Sequence, residues 1–198
     1  MILVLATENR HKGEEIASIL QGGMEIDLRT LADFPKVALP PETGSSYREN
    51  ATQKALAAAR ATGHWAMGDD SGLEVTALGG APGLYSARFA GEGVTYADNR
   101  KKLLDLLGTL PDEERSARFV CTIAVADPIG RACTVEGICN GRITRVDTGV
   151  GGFGYDPIFF VPEFGKTFAE LSQEEKNKIS HRGQAIRAMI PILKKMLS

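Results

Sequence analysis

Ile2-Leu-Val-Leu-Ala-Thr-Glu-Asn-Arg-His-Lys12 begins as an unbroken apolar run and turns polar at Thr7. Ile2 to Ala6 is short enough to be a buried strand. Beyond Lys12, the residues Ile16, Ile19 and Leu20 recur at helical spacing until Gly22-Gly23 ends the period. A buried strand feeding an amphipathic helix is the first step of an α/β chain. The polar segment between them lies where the first N–H groups of a helix have no partner within it.

The alternation continues outward from there. Met24 to Leu28 predicts a second strand, and Pro35, Pro40 and Pro41 mark an irregular connection. Ser46 followed by Glu49 is a capping-box signature for a helix running to about Thr62. That helix carries Ala51, Ala55, Ala58 and Ala59, small residues that allow close approach to a sheet, and Gly63 stops it. Trp65 to Gly68 reads as a short strand delivering Asp69-Asp-Ser-Gly72, and Val75 to Tyr85 is turn-rich. Thr95 to Leu107 predicts a helix with Leu103, Leu104, Leu106 and Leu107 as its buried stripe.

The pattern then changes. Arg118 to Ala126 and Arg131 to Ile138 flank Asp127-Pro-Ile-Gly130, which reads as a hairpin. Gly149 to Asp156 is glycine-dense, and Pro157 to Val161 predicts a strand. Ser172 with Glu175 is a second capping box. A last helix is expected from about Ser180 to Leu197, with Pro191 kinking it or removing one hydrogen bond. Early alternation and later hairpins together predict a mixed α/β architecture with a parallel and an antiparallel part. A cleft between two such lobes is a natural ligand site.

Composition narrows the function classes. A chain of 198 residues with 43% hydrophobic and 24% charged residues suits one domain, or two closely packed lobes, with a real core. A formal net charge of −2 argues against a nucleic-acid coat protein, so no nucleic-acid partner is expected. No apolar run approaches the roughly 18 residues of a membrane span, and Met1 to Ala6 lacks a charged leader. The expected location is the cytoplasm, with no membrane partner. Cys121, Cys133 and Cys139 are odd in number and form no C-x-x-C pair, which argues for structural thiols rather than a disulfide framework or zinc site.

Five segments carry chemistry. Thr7 to Lys12 combines a hydroxyl, an amide and a lysine at a helix start, which is either an anion cradle or a capped helix with solvated charges. It contains no P-loop. Glu42 and the Asp69-Asp70 pair offer hard oxygen ligands suited to Mg²⁺, or else turn chemistry. Consecutive strand residues point to opposite faces, so only one of the two aspartates faces a given site directly. Lys54 shares a helix face with Asn50, a pattern usual for a solvated surface. Gly151-Gly-Phe-Gly-Tyr-Asp-Pro157 sets Phe153 and Tyr155 in a loop that lets backbone approach a ligand. Their rings are either stacking platforms for a base or buried turn aromatics. His181 and Arg182 fall in the first turn of the last helix, where cations oppose the helix dipole. A locally unfavourable choice there points to function, with solvated charges as the alternative.

In order and spacing these segments resemble the inosine triphosphate pyrophosphatase family over nearly the whole chain. The resemblance rests on Thr7-Glu-Asn9-Arg-His-Lys12, Asp69 to Leu73, Leu78-Gly-Gly-Ala-Pro-Gly83 and Tyr85-Ser-Ala-Arg88. Gly152-Phe-Gly-Tyr-Asp156 and Ile179-Ser-His-Arg182 complete it. It implies an elongated mixed α/β sheet in two lobes that are not contiguous in sequence, with a central nucleotide-binding cleft, and a homodimer. It implies that Thr7, Asn9 and Lys12 grip the triphosphate with help from Lys54, and that Glu8, Arg10 and His11 belong to the same binding segment. Glu42 and Asp70 would hold Mg²⁺, with Mn²⁺ as the alternative ion, and Asp70 would be the general base. Ser71 would contact the nucleotide. Phe153 would stack on the purine, flanked by Gly154 and Tyr155, and Asp156, Lys176, His181 and Arg182 would line the base and sugar end.

The activity so implied is hydrolysis of ITP, dITP and XTP at the α-phosphorus. Direct water attack is simpler than a covalent intermediate, since no serine or cysteine pairs with a histidine. Arg182 only donates and His181 can donate, which suits the oxygen at position six of hypoxanthine and xanthine and not the amino group of adenine. Two other readings remain at this stage. One is a related pyrophosphatase for modified pyrimidine triphosphates, and the other is a nucleotide sensor without catalysis.

Overall fold

The computed structural model describes residues 2–197. The opening run folds as strand β1 (Ile2–Ala6), buried from Leu3 onward, and leads into helix α1 (Arg10–Gln21). Asn9 caps that helix: its side chain accepts from the Lys12 N–H at 3.2 Å. The second strand, β2 (Asp27–Thr30), starts later than the alternation from Met24 predicts. Its register is set by parallel pairing with β1, Ile2 opposite Asp27 and Leu5 opposite Thr30.

Helix α2 (Tyr47–Thr62) has Ser46 as its N-cap and stops at Gly63, whose φ of 71° is left-handed. The Glu49 carboxylate accepts from the Ser45 N–H at 2.8 Å, so the reciprocal half of the expected capping box falls one residue early. Strand β3 (Trp65–Val75) differs most from the sequence reading. It is 11 residues long and carries Asp69, Asp70, Ser71 and Gly72 inside it instead of ending before them. Its first residues pair in parallel with β1, from Leu3 opposite Trp65 to Ala6 opposite Gly68.

Helix α3 (Tyr96–Leu107) has Thr95 outside it as N-cap, in a capping box with Asp98. Leu103 and Leu107 are buried and Leu104 is partly so, while Leu106 is exposed. Strands β4 (Ser116–Ala126) and β5 (Ala132–Ile143) form the predicted hairpin, closed where Asp127 N–H donates to the Arg131 carbonyl at 3.0 Å. After the glycine-dense segment a 3₁₀ turn takes Asp156–Ile158, so strand β6 is only Phe159–Val161, followed by β7 (Lys166–Thr167). Helix α4 (Gln173–Ile179) forms the full Ser172–Glu175 capping box, and α5 (His181–Leu197) contains Pro191.

Among the described residues the sheet has seven strands, in the order β2-β1-β3-β4-β5-β6-β7. β2, β1 and β3 pair in parallel, and β5, β6 and β7 pair antiparallel, as the change of pattern along the chain predicts.

The chain divides into two compact units. Unit 1 comprises Met1–Ser71, Cys121–Gly137 and His181–Ser198, and unit 2 comprises Gly72–Val120 and Ile138–Ser180. In unit 1 strand alternation sorts two cores. Leu3, Leu5, Met67, Cys121, Ile123 and Val125 pack with α1 and α5 residues such as Ile16, Leu20, Ile186 and Met189. Val4, Ala6, Ala66, Ala124 and Ala126 meet the alanines of α2. The core of unit 2 gathers Leu73, Leu103, Leu107, Phe119, Tyr155, Phe159 and Phe168.

Candidate active site

The alternation that sorts the cores of unit 1 also sorts its charges. Met67, Asp69 and Ser71 lie on the α1 and α5 side of β3, and Asp70 lies with Ala66 on the α2 side. Asp69, whose side chain is fully buried, receives Lys12 Nζ at 3.1 Å on Oδ2. Arg182 Nη2 lies 3.4 Å from the same oxygen and donates to Ser71 Oγ at 3.0 Å. Arg182 Nη1 donates to Glu15 Oε2 at 2.5 Å. The guanidinium thus serves three partners of the protein itself, in the company of Lys12. The sequence reading grouped it with the base end.

Asp70 turns to α2. Asn50 Nδ2 donates to its Oδ2 at 2.9 Å, and the Ser71 N–H donates to its Oδ1 at 2.9 Å. On the same helix Lys54 Nζ contacts Glu42 Oε1 at 2.6 Å. Asn50 and Lys54 are both buried, so this helix face is not the solvated one their spacing alone suggests.

These neighbours set the protonation of the group. Burial pushes the Asp69 carboxyl up, but Lys12, Arg182 and Lys54 outweigh it and hold it well below the usual carboxylate range. For Lys12 burial is the largest influence and works downward, with Arg182 adding to it, but Asp69, Asp70 and Cys121 together outweigh both and raise the ammonium above its ordinary value. Burial dominates at Asp70 and raises its proton affinity, with Lys54 and Lys12 opposing. Burial also raises Glu42, and Lys54 turns the balance so that it ends lowered. Burial pushes the Cys121 and Cys139 thiols up to about 12, which leaves neither as a thiolate nucleophile.

The remaining residues of the first segment differ in placement. Thr7 Oγ1 accepts from the Asn9 N–H at 3.2 Å, which shapes the turn into α1. Glu8, Arg10 and His11 are exposed, and Arg10 pairs with Glu14 at 2.8 Å. Their side chains do not join Lys12 and Asp69. His181, buried, begins α5, and its carbonyl backs onto β5 at Gly137. A Cβ on that glycine would lie 2.1 Å from the His181 oxygen, so only glycine permits this approach.

In unit 2 the glycine-dense loop is pinned by one carboxylate. Asp156 Oδ2 accepts from the Phe153 N–H at 2.8 Å and from Lys176 Nζ at 2.6 Å, with Asp156 and Lys176 both buried. Gly152 has φ 69°, and a Cβ there would strike Asp156 Oδ2 at 2.1 Å. Lys176 Nζ lies 4.9 Å from the centre of the half-buried Phe153 ring, and Tyr96 meets that ring edge-on. Tyr155 is different: its ring is buried and its hydroxyl donates to the Ser86 carbonyl at 2.9 Å. Of the two aromatics read as platforms, Tyr155 is a core residue and Phe153 keeps an exposed surface. The Gly154 carbonyl accepts from Arg100 Nη1 at 2.8 Å.

Sequence reasoning does not place two participants, Glu15 and Asn50, in the site, and leaves the partition between Asp69 and Asp70 open. Glu15, the partner of Arg182, lies one helical turn from Lys12, and a carboxylate beside the buried Ile16 was the available signal. Asn50 was noticed only as a neighbour of Lys54.

The carboxylates also bear on a divalent ion. Asp69 Oδ1 is buried and accepts no hydrogen bond among the described residues, an acceptor that a hard cation would complete. Glu42 lies within electrostatic reach of Asp69, and Asp70 within reach of Glu42. Among the described residues, no three histidine, cysteine or acidic side chains converge to cage a metal.

The model of the Ham1 family matches residues 3–192 of the chain. The chain is 51% identical over 197 residues to the dITP/XTP pyrophosphatase of Desulforamulus reducens, covering 99% of this chain and 97% of that protein. It is 49% identical to the dITP/XTP pyrophosphatase of Shigella flexneri, covering 97% of this chain and 98% of that one. Among solved structures it is similar to a HAM1 protein from Coxiella burnetii, with a TM-score of 0.88 and 42% identity over 98% of this chain and 99% of that chain. The Ham1 protein of Staphylococcus aureus gives a TM-score of 0.86 at 40% identity, covering 99% and 100% of the two chains.

Proposed function

Because the chain belongs to the Ham1 family, we propose that it hydrolyses the aberrant purine nucleotides dITP, XTP and ITP to the monophosphate and pyrophosphate. The observation that carries this reading is the buried group at the end of the β1–β3 pairing, where Lys12 and Arg182 meet Asp69 beside Asp70. Ligand sites of parallel sheets lie past the carboxyl ends of the strands; β1 ends at Ala6, and Lys12 just beyond it offers a cation for phosphate beside the carboxylates of Asp69 and Asp70.

In the reaction so proposed, water attacks the α-phosphorus, its proton passes to Asp70, and the bond to the bridging oxygen breaks to release pyrophosphate. The proton affinity of Asp70, raised by burial, supports its role as acceptor. Lys12, fixed in its charged form, and Lys54 offset phosphate charge, and Thr7 and Asn9 shape the turn that presents the first N–H groups of α1. Glu42 and Asp70 would hold Mg²⁺ or Mn²⁺, which would neutralise phosphate charge and acidify a bound water. The exposed part of the Phe153 ring, backed by Asp156 and Lys176, is the surface offered to the purine, and His181 is the donor proposed for the oxygen at position six.

A homodimer in the cytoplasm belongs to the same reading. No helix among the described residues is long and apolar enough to cross a membrane. Sedimentation at equilibrium tests the dimer, and a single-chain mass would remove it.

The decisive experiment incubates the protein with ITP, dITP, XTP, GTP and ATP plus Mg²⁺ and scores pyrophosphate separately from orthophosphate. Pyrophosphate from the first three, well above GTP and ATP, is expected. Orthophosphate as the first product would defeat cleavage at the α-phosphorus, and binding without turnover would make the protein a sensor.

A further inference from the structure

Asn50 has a geometry that its sequence neighbourhood gives no reason for. It lies on α2, 4% exposed, and its amide is used at both ends. Nδ2 donates to Asp70 Oδ2 at 2.9 Å, and Oδ1 accepts from the Gly44 N–H at 2.8 Å. One side chain therefore ties the carboxylate of β3 to the loop that carries Glu42. Both approaches are made close by glycine. A Cβ on Gly44 would stand 2.5 Å from Asn50 Oδ1, and one on Gly68 would stand 2.4 Å from the Ala51 carbonyl. The first lets the loop reach the amide, and the second lets β3 lie against α2 at the turn where Asn50 projects.

The chemistry requires an amide at this place. Asp70 is an acceptor at both oxygens when ionised, and the Gly44 N–H is a donor. Only a group with a donor at one end and an acceptor at the other satisfies both. A carboxylate at position 50 would keep the bond from Gly44 and turn an oxygen on Asp70, and an aliphatic side chain would lose both bonds.

We propose that Asn50 is a positioning residue for the hydrolysis, fixing the rotation of the Asp70 carboxylate so that its proton-accepting oxygen faces the attacking water. This rests on the functional reading given above. Asn50 touches neither the substrate nor the reacting atoms. It acts through Asp70, as partners behind a functional carboxylate commonly do, and their loss typically lowers activity by about 10–100-fold.

The test compares Asn50→Asp and Asn50→Leu with the wild type, using XTP turnover and, separately, the affinity for an XTP analogue with a methylene bridge between the α- and β-phosphates. Thermal unfolding and circular dichroism establish that each variant is folded. The expected result is a kcat lower by about 10–100-fold in both variants, with KM and analogue affinity nearly unchanged. Asn50→Asp keeps the Gly44 bond, so wild-type turnover in that variant would show that the amide serves only the loop, and would overturn the proposal. A loss of analogue affinity as large as the loss of kcat would overturn it too, because it would place Asn50 in binding. A wild type that releases no pyrophosphate from XTP would instead defeat the functional reading, and the two failures are distinct.

Discussion

Asp69 carries its negative charge in a place where burial alone would remove it. Lys12, Arg182 and Lys54 hold its carboxyl far below the ordinary range, so in the folded chain it stays ionised where the unfolded one, with a pKa near ~3.9, begins to bind a proton. The stability it contributes is fully present above the unfolded value and is lost as pH falls toward the folded one. Asp69→Asn should cost about 3–5 kcal/mol near neutrality, since it leaves buried cations beside a neutral amide. Urea denaturation of both proteins should show this gap narrowing below about pH 4. A gap that stays constant into acid contradicts the assignment. Asp70→Asn should cost less, because the new side-chain oxygen can still accept from the Asn50 amide while its NH2 is turned on the Ser71 N–H, a mismatch worth about 1–3 kcal/mol. The variant should stay folded at neutral pH while kcat for XTP falls by roughly 10²–10⁴-fold, the usual worth of a general base. Near-normal turnover would remove Asp70 from that role. Phe153→Ala should raise KM for XTP with little effect on stability, since the ring is half-exposed and stacking on a base is worth about 1–3 kcal/mol. An unchanged KM rejects stacking. That the two aspartates face different partners was legible in the sequence, because strand alternation requires it. Their partners were not legible: nothing in the spacing of Glu15 or Asn50 says which helix faces the sheet covers.

At the level of elements, strand–helix contacts are set by what is missing from two glycines. A Cβ at Gly68 would meet backbone atoms of Ala51 and Ala55, and one at Gly137 would meet backbone atoms of His181 and Ala185. Backbone cannot step aside as a flexible side chain can, so Gly68→Ala and Gly137→Ala should each destabilise unit 1 by about 1–3 kcal/mol, the usual cost of overpacking. The two should differ in function. Gly68→Ala displaces the α2 side, where Asn50 holds Asp70, and Gly137→Ala displaces the start of α5, which carries Arg182. Urea midpoints that match wild type in both would mean that the close approaches are not needed. The sequence exposed α1, α2, the β4–β5 hairpin and the second capping box because each is signalled locally, by period or by cap. It misread β3. Asp-Asp-Ser-Gly is good turn chemistry by itself, and only pairing within the sheet holds it extended. The same limit explains β2, whose start is fixed by its register against β1, and Leu106, which the helical period grouped with the buried leucines.

For the molecule as a whole, the two units are not independent stretches of chain. Of the four places where the chain passes from one to the other, one lies between α4 and α5 at Ser180–His181 and three lie inside strands: between Ser71 and Gly72 in β3, between Val120 and Cys121 in β4, and between Gly137 and Ile138 in β5. Melting one unit alone would require each of these strands to remain ordered on one side of a single peptide bond and disordered on the other. The backbone groups at the break would lose ladder partners without gaining the chain entropy of a full transition. A chain of 198 residues is long enough that separate transitions are the common outcome for two units joined by linkers. Here three shared strands replace the linker. Differential scanning calorimetry should therefore give one endotherm, with a calorimetric enthalpy close to the van't Hoff value. Bound nucleotide should move that endotherm upward as one peak, because a ligand that binds only the folded state stabilises everything that unfolds with its site. Two resolved peaks, or an XTP analogue that shifts only part of the transition, would mean that the strands uncouple at the boundary.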